Sequence, residues 1–214
     1  MKSALSWSIA SIAMLLLCIL SYAFADIAAA VWFQQFRQSG VYDFFSIITL
    51  FGDSLGYLIG GALLFLLFRN KKNSWADAAL FLFSTVAASG LAVDLIKYIA
   101  GRARPILYFS EHRSGFAFFQ LEKVWTSFPS GHSATALSVA MLLALLFPQW
   151  RVFAFLAGLM VAFSRIFLAQ HYISDVLAGS FLGIASTALL YHFYFQSKLD
   201  GSSSEHKTLK KSDL

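Results

Sequence analysis

Ionisable side chains are concentrated in three short segments of an otherwise apolar chain. The segments are 97–105 (KYIAGRARP), 129–133 (PSGHS) and 164–175 (SRIFLAQHYISD). Each lies beside a membrane-length apolar run, where an ionisable group is energetically costly, so we predict a functional site. The cations of Lys97, Arg104 and Arg165 outnumber the single carboxylate of Asp175, which favours an anionic ligand. Because histidines are available both to attack and to donate a proton, the predicted anion is a phosphate ester.

Each step of phosphoryl transfer has a candidate side chain in these segments. His171 and Asp175 are four residues apart at the start of a predicted helix, so we expect their side chains to share one face. A carboxylate bonded to one ring nitrogen fixes the tautomer and leaves the other nitrogen free to attack phosphorus. We therefore predict that His171 is the nucleophile, that Asp175 orients it, and that a phosphohistidine forms. His132 is the predicted general acid for the leaving group.

The predicted phosphate-binding groups come from all three segments. Gly131 has no side chain, so its backbone can approach a phosphate closely. The hydroxyl of Ser130 can donate a hydrogen bond, and backbone N–H groups at a helix N-terminus favour anions. Lys97, Arg104 and Arg165 would add charge-assisted hydrogen bonds, and each arginine can bind two oxygens.

The order and spacing of the three segments resemble those of the type 2 phosphatidic acid phosphatase superfamily, the lipid phosphate phosphatases. The signature of that family is Lys-x6-Arg-Pro, Pro-Ser-Gly-His and Ser-Arg-x5-His-x3-Asp, and every position is matched between Lys97 and Asp175. The resemblance covers roughly residues 50–195. It implies a membrane lipid phosphatase in which His171 attacks and Asp175 orients it. The substrate stays open among undecaprenyl diphosphate, phosphatidylglycerophosphate, phosphatidate and lipid A phosphate.

The composition predicts an all-α, polytopic membrane protein. Of 214 residues, 58% are hydrophobic and 13% are charged, and the mean hydropathy of +0.68 is too high for one soluble core. A single domain, 1–196, is predicted to contain six transmembrane helices, of which the second is interrupted at Gly52-Asp53-Ser54 and the fourth is short. The predicted helices lie near 7–25, 47–68, 75–99, 132–148, 150–169 and 172–196. Residues 197–214 are predicted to form a disordered cytoplasmic tail.

The positions of basic residues predict the orientation in the membrane. Outside the three segments, lysine and arginine cluster after the second and fourth spans and in the tail, which should therefore be cytoplasmic. These residues are Arg69, Lys71, Lys72, Arg151, Lys198, Lys207, Lys210 and Lys211. The three segments then lie on the periplasmic face of an inner membrane.

The N-terminal segment allows a second interpretation. Lys2, an apolar run and Ala23-Phe24-Ala25 before Asp26 also resemble a cleavable signal peptide. A retained first helix fits the six-span pattern of the resembled family better, and we expect the first span to be kept.

Other functions fit the sequence less well. Two histidines and one aspartate among three cations would make a poor metal site, and no P-loop or Rossmann glycine pattern occurs. We therefore predict no metal, no cofactor and no nucleic-acid partner, with a lipid phosphate substrate and membrane lipids as partners. An anion or lipid-phosphate transporter is the alternative, but it predicts an inverted repeat with broken helices, which is not visible. Vanadium haloperoxidases resemble the family at this site but are soluble.

Several ionisable residues between Lys97 and Pro129 match no fixed position of the signature. Among them are Arg102, Glu111, His112, Arg113 and Lys123. Contact of Arg102 with phosphate or a headgroup is one hypothesis for that residue.

Overall fold

The computed structural model describes residues 2–70 and 74–199, which are almost entirely helical. In this part of the chain, β-type pairing is limited to a bridge between Arg102 and Phe116. The α-helices are α1 (Lys2–Phe24), α2 (Asp26–Gln34), α3 (Gly40–Ile48), α4 (Ser54–Phe68), α5 (Ser74–Ala100), α6 (Pro105–Glu111), α7 (Gly131–Leu146), α8 (Arg151–Phe167) and α9 (Ile173–Leu190). A π-helical turn, Tyr191–Phe195, extends α9.

The predicted all-α, multi-pass architecture is confirmed. Among the described residues, 5 segments are long and apolar enough to cross a membrane, and α7 is an apolar helix of 16 residues. The long segments are Leu5–Phe24, Gly40–Phe68, Ser74–Ala100, Pro148–Phe167 and Ile173–Leu199. The short crossing therefore lies where the sequence indicated, at the helix that follows the Pro-Ser-Gly-His motif.

The second span is longer than predicted and is interrupted where expected. It begins at Gly40 rather than near residue 47, because Ser39 caps α3 by accepting a hydrogen bond from the backbone N–H of Tyr42 at 3.3 Å. A 3₁₀ turn ends at Gly52, and the Asp53 carboxylate starts α4 by accepting from a backbone N–H at 2.8 Å.

Close backbone contacts hold α9 against α7. A Cβ atom added to Gly179 would lie 2.2 Å from the carbonyl oxygen of Ser130, and one added to Gly183 would lie 2.2 Å from that of Ala134. These positions therefore require glycine, because any side chain would overlap the backbone of α7. The Gly179-x3-Gly183 pair is thus a small-residue contact between two helices.

The Gly60-Gly61 pair behaves differently at its two positions. A Cβ atom on Gly61 would lie 3.1 Å from the backbone nitrogen of Phe83, so this glycine is a close contact between α4 and α5. A Cβ atom on Gly60 would meet no described atom within 4 Å.

The first helix packs along α9 and is joined to it by polar contacts. The Cys18 thiol donates to the carbonyl oxygen of Ser174 at 3.6 Å. Asp26, the first residue of α2, is buried with 1% of its surface exposed. These contacts join the end of α1 to the start of α9.

The end of the predicted domain is shifted slightly. Residues 196–199 are helical, so the predicted tail, 197–214, begins inside the helical region. The rest of that tail, 200–214, lies outside the described residues, as do Lys71 and Lys72 of the orientation argument.

Candidate active site

The three sequence segments meet at one end of the helix bundle. The backbone N–H of Ser130, just before α7, donates to the carbonyl oxygen of Asp175 in α9 at 2.9 Å. The loop between α6 and α7 lies at the same end of the bundle, because the N–H of Ser127 donates to the carbonyl oxygen of Arg102, just after α5, at 3.0 Å. The end of α5, the starts of α7 and α9, and the end of α8 therefore form one cluster.

The ring of His171 is held in a single tautomer. Its Nδ1 lies 2.8 Å from the carbonyl oxygen of Ser127, which can only accept, so Nδ1 carries the hydrogen and Nε2 keeps its lone pair. Burial lowers the pKa of His171 to about 3, and the cations of Arg104 and Arg165 act in the same direction although Asp175 opposes them. The imidazole is therefore neutral near pH 7 and has one nitrogen available for attack.

Asp175 acts on His171 mainly through Ser127. The carboxylate Oδ2 lies 3.5 Å from Nδ1 of His171, which is longer than a normal hydrogen bond. It accepts shorter bonds from the Ser127 hydroxyl at 2.6 Å and from the backbone N–H of Tyr172 at 2.9 Å. The predicted contact of Asp175 with the ring is therefore present but long, and the same carboxylate also holds Ser127, whose carbonyl oxygen accepts from Nδ1.

The Pro-Ser-Gly-His motif starts α7 as predicted. Ser130 is the N-cap, and its oxygen accepts from the Ser133 hydroxyl at 2.9 Å, so its own hydrogen is not used in that bond. A Cβ on Gly131 would lie 3.3 Å from Nζ of Lys97, so the ammonium group lies against the first turn of α7. The His132 side chain packs against Gly52, where an added Cβ would be 2.9 Å from the Cβ of the histidine.

The three predicted phosphate-binding cations lie around this helix start. Arg104 donates to the carbonyl oxygen of Thr126 at 3.2 Å, and Arg165 donates to the Thr49 hydroxyl at 2.6 Å. The Nε atoms of both arginines are buried and have no partner among the described residues. Lys97 is close enough to interact electrostatically with both. Most of their donors are therefore available for an anion.

The family model of the PAP2 superfamily matches residues 78–199, a range that contains all three segments. The chain belongs to the PAP2 superfamily.

Similar proteins and structures agree with this membership. The Lipid A 1-phosphatase of Rhizobium etli is 34% identical over 163 residues, which cover 69% of this chain and 68% of the relative. The Lipid A 1-phosphatase of Rhizobium johnstonii is 35% identical over 151 residues, which cover 64% and 61%. A transmembrane PAP2 type phosphatidylglycerolphosphate phosphatase from Bacillus subtilis has a TM-score of 0.64 and 25% identity, covering 86% of this chain and 96% of that structure. Aquifex aeolicus LpxE shares the fold, with a TM-score of 0.59 and 22% identity over 78% of this chain and 95% of that one. The chain is a multi-pass membrane phosphatase of the PAP2 superfamily.

The sequence alone did not predict the roles of Arg102, Asp26 and Ser127, which support Asp175 and His171. Arg102 does not face the candidate phosphate site, because its terminal nitrogens donate to Asp26, Ser174 and Asp175. Ser127, which holds His171, lies outside every motif. The available signals were weak: Arg102 lies inside the first motif, and Asp26 is an acid between two apolar helices.

The remaining unassigned loop residues lie farther out. His112 ends α6 in a left-handed conformation and is exposed. Arg113 lies 3.4 Å from Glu111, and both are more than half exposed. Lys123 lines a cavity that also contains Arg104, and it is the member of this group closest to the site.

Two cavities border the site. The outer cavity, of about 350 Å³, has a mixed lining of apolar and polar residues, and it is cationic because Arg37, Arg104 and Lys123 line it without an acidic residue among the lining residues. An apolar groove of about 390 Å³ lies between α3, α4, α7 and α8. Val161 lines this groove and, like His132, contacts the position of Gly52, so the groove begins beside the predicted general acid.

Proposed function

We propose that this protein hydrolyses the phosphate or diphosphate monoester of an envelope lipid through a phosphohistidine on His171, at the periplasmic face of the inner membrane. The observation that carries the proposal is the junction of a neutral His171, with Nε2 unprotonated, and the guanidinium groups of Arg104 and Arg165, whose buried Nε atoms have no partner among the described residues. Such a junction offers a nucleophile next to fixed positive charge, which is what phosphoryl transfer requires.

In the first step, Nε2 of His171 attacks phosphorus, while Nδ1 keeps its hydrogen and its hydrogen bond to the carbonyl oxygen of Ser127. The bond between phosphorus and the lipid oxygen breaks, and the imidazolium of His132 gives its proton to that oxygen. Lys97, Arg104 and Arg165 stabilise the charge on the phosphoryl oxygens. The negative charge of a bound phosphate dianion compensates the positive charge of these three side chains. Bound substrate therefore favours the protonated form of His132 before the transfer.

In the second step, water attacks the phosphohistidine. His132, now neutral, accepts a proton from that water, and the bond between phosphorus and Nε2 breaks. Inorganic phosphate leaves, and His171 returns to its starting tautomer. The two steps together consume one water and release one lipid alcohol, or one lipid monophosphate when the substrate is a diphosphate.

The lipid A 1-phosphate group is the leading substrate among the candidates. The support comes from the two Rhizobium relatives named Lipid A 1-phosphatase, whereas the Bacillus subtilis structure keeps phosphatidylglycerophosphate as the second candidate. The apolar groove beside His132 offers space for an acyl chain on the leaving-group side of phosphorus. The cationic outer cavity offers space for a polar, anionic head.

Phosphate release from a panel of purified lipids tests this function. The protein in detergent should release phosphate from at least one of lipid A, phosphatidylglycerophosphate, phosphatidate and undecaprenyl diphosphate, with lipid A fastest. Activity should persist with a chelator, since the cations of the site supply the positive charge. Release no greater than that of a His171→Asn preparation on every lipid would contradict the proposal, and strict dependence on added Mg²⁺ or Zn²⁺ would contradict its metal-free form.

Reporter fusions test the proposed orientation. Arg69 lies at the C-terminal end of α4, and Arg151 lies at the start of α8. Both are at the ends of their spans that are remote from the motif segments, and the positive-inside rule predicts that these ends are cytoplasmic. A fusion at Asn70 and one at the C-terminus should report the cytoplasm, and one near Gly115 should report the periplasm. An exported signal from Asn70 would overturn the orientation.

A further inference from the structure

Arg102 and Asp26 form a buried ion pair directly behind the candidate active site. We infer that both are positioning residues: Asp26 fixes Arg102, and Arg102 fixes Asp175 and Ser127, which together hold the His171 ring for attack. The inference rests on the proposed function and extends it to the junction of α1 and α2, which lies outside the matched family range.

The side chain of Arg102 is committed to two carboxylates. Its Nη2 donates to Oδ2 of Asp26 at 2.7 Å, and its Nη1 donates to Oδ1 of Asp175. Only 2% of the side chain is exposed, and the aromatic rings of Tyr22 and Tyr172 lie 5.0 Å and 4.6 Å from the guanidinium carbon. Arg102 cannot reach a substrate in this position, so its role is positioning and not catalysis.

Asp26 is held as firmly as Arg102. Its Oδ1 accepts from the Ser21 hydroxyl at 2.7 Å and from the backbone N–H of Ser174 at 3.0 Å. The Ser174 hydroxyl accepts from Nη1 of Arg102 at 2.6 Å and donates to Oδ2 of Asp26. Asp26 therefore ties the end of α1 to the first turn of α9, one residue before Asp175.

Arg102 controls both neighbours of the His171 ring. Its guanidinium holds Asp175, and its backbone carbonyl accepts from the N–H of Ser127 at 3.0 Å. The Ser127 hydroxyl donates to Asp175 at 2.6 Å, which closes a loop of hydrogen bonds. The carbonyl oxygen of Ser127 then accepts from His171 at 2.8 Å. A change at Arg102 or Asp26 must therefore be transmitted to the orientation of the nucleophile.

The charges of this network make Arg102 difficult to replace. Without its cation, two buried carboxylates would lack a counter-ion, and a buried charge that loses its partner is strongly destabilising. Lysine keeps the charge but lacks the planar fork that reaches two carboxylates at once. The milder variants Asp26→Asn, Ser174→Ala and Arg102→Lys are therefore more informative than Arg102→Ala, which is at risk of misfolding.

The test measures kcat and KM separately for these variants, on a lipid phosphate and on an aryl phosphate. Since a hydrogen bond to a charged group contributes more than a neutral one, Asp26→Asn should lower kcat by about 10- to 100-fold and Ser174→Ala by about 3- to 10-fold. KM should change by less than about 3-fold because the phosphate-binding cations are untouched. Both substrates should be affected alike, since the nucleophile acts on every leaving group. Arg102→Lys should retain more activity than Arg102→Gln.

The matched control is Asp43→Asn, which removes an exposed carboxylate of α3 and should leave kcat unchanged. All rates are expressed per folded protein, counted from the monodisperse peak in size-exclusion chromatography. Normal kcat in folded Asp26→Asn and Ser174→Ala, with only the yield reduced, would show a structural role and overturn the inference. A wild-type protein that releases no phosphate from any lipid would instead contradict the proposed function.

Discussion

Replacing His171 with asparagine is expected to abolish turnover with every substrate, whereas replacing His132 should spare much of the turnover of an activated one. His171→Asn removes Nε2, the atom that attacks phosphorus, and no leaving group can compensate for its loss. The asparagine amide can still donate to the carbonyl oxygen of Ser127, which now accepts from Nδ1 at 2.8 Å, so the fold should survive.

His132→Asn removes only the proton donor in this account. General acid catalysis typically contributes about 10²- to 10⁴-fold, so turnover of a lipid phosphate should fall by that order. An aryl phosphate has a leaving group that hardly needs a proton and should recover most of the loss. Asp175→Asn should give an intermediate loss, because the nucleophile remains but Ser127 and His171 are less firmly held.

The comparison is made from kcat/KM of the three variants on a lipid phosphate and on p-nitrophenyl phosphate, with folded protein verified by size-exclusion chromatography. Equal losses for His132→Asn and His171→Asn on both substrates would refute the assignment of nucleophile and acid. The phosphatase class itself would not be contradicted by that result.

Replacing Gly179 with alanine is expected to damage both stability and activity. The added Cβ would lie 2.2 Å from the carbonyl oxygen of Ser130, which cannot move without displacing the N-terminus of α7. Overpacking of this kind costs about 1–3 kcal/mol and sometimes more. The displacement also acts on the hydrogen bond from the Ser130 N–H to Asp175, so kcat should fall as well.

Gly90→Ala is the matched control, because a Cβ at this helical position meets nothing within 4 Å. Thermal unfolding in detergent should show a clear decrease in Tm for Gly179→Ala and an unchanged or raised Tm for Gly90→Ala, since alanine favours helix over glycine. If Gly179→Ala has the Tm and activity of the wild type, the close packing of α9 on Ser130 is contradicted.

The sequence predicts the membrane helices and the residues that converge on the site. Long apolar runs define most of the spans, and the interruption at Gly52 was visible as a cluster of turn-forming residues. The start of the second span was missed because α3 mixes polar with apolar side chains, and burial of one helix face depends on its neighbours. The short α7 was identified because an apolar run follows the Pro-Ser-Gly-His motif directly.

Contacts between distant segments could not be predicted in the same way. Asp26 and Arg102 are separated by 76 positions, and no spacing rule connects a helix end with a loop at that distance. The same holds for Ser127, which contacts His171 across 44 positions. Their roles follow from the packing of α1 and of the loop between α6 and α7 against α9.

The geometry between His171 and Asp175 could be predicted only in part. Residues four apart share a face when both lie in one helix, and Nδ1 of His171 does lie 3.5 Å from Oδ2 of Asp175. The helix α9 begins at Ile173, however, so His171 lies in the preceding turn and its Nδ1 is closer to the carbonyl oxygen of Ser127, at 2.8 Å. Asp175 is in the first turn and accepts from the backbone N–H of Tyr172 at 2.9 Å, as a capping residue does.

Chemical trapping of the phosphorylated enzyme tests the central claim most directly. A lipid phosphate labelled with ³²P would be mixed with the protein, and the reaction would be quenched in alkali within one turnover. We expect an alkali-stable, acid-labile label, which peptide mass spectrometry would locate on His171, and which is absent from His171→Asn. A label on another residue, or rapid phosphate release with no labelled protein at any quench time, would contradict a phosphohistidine at His171.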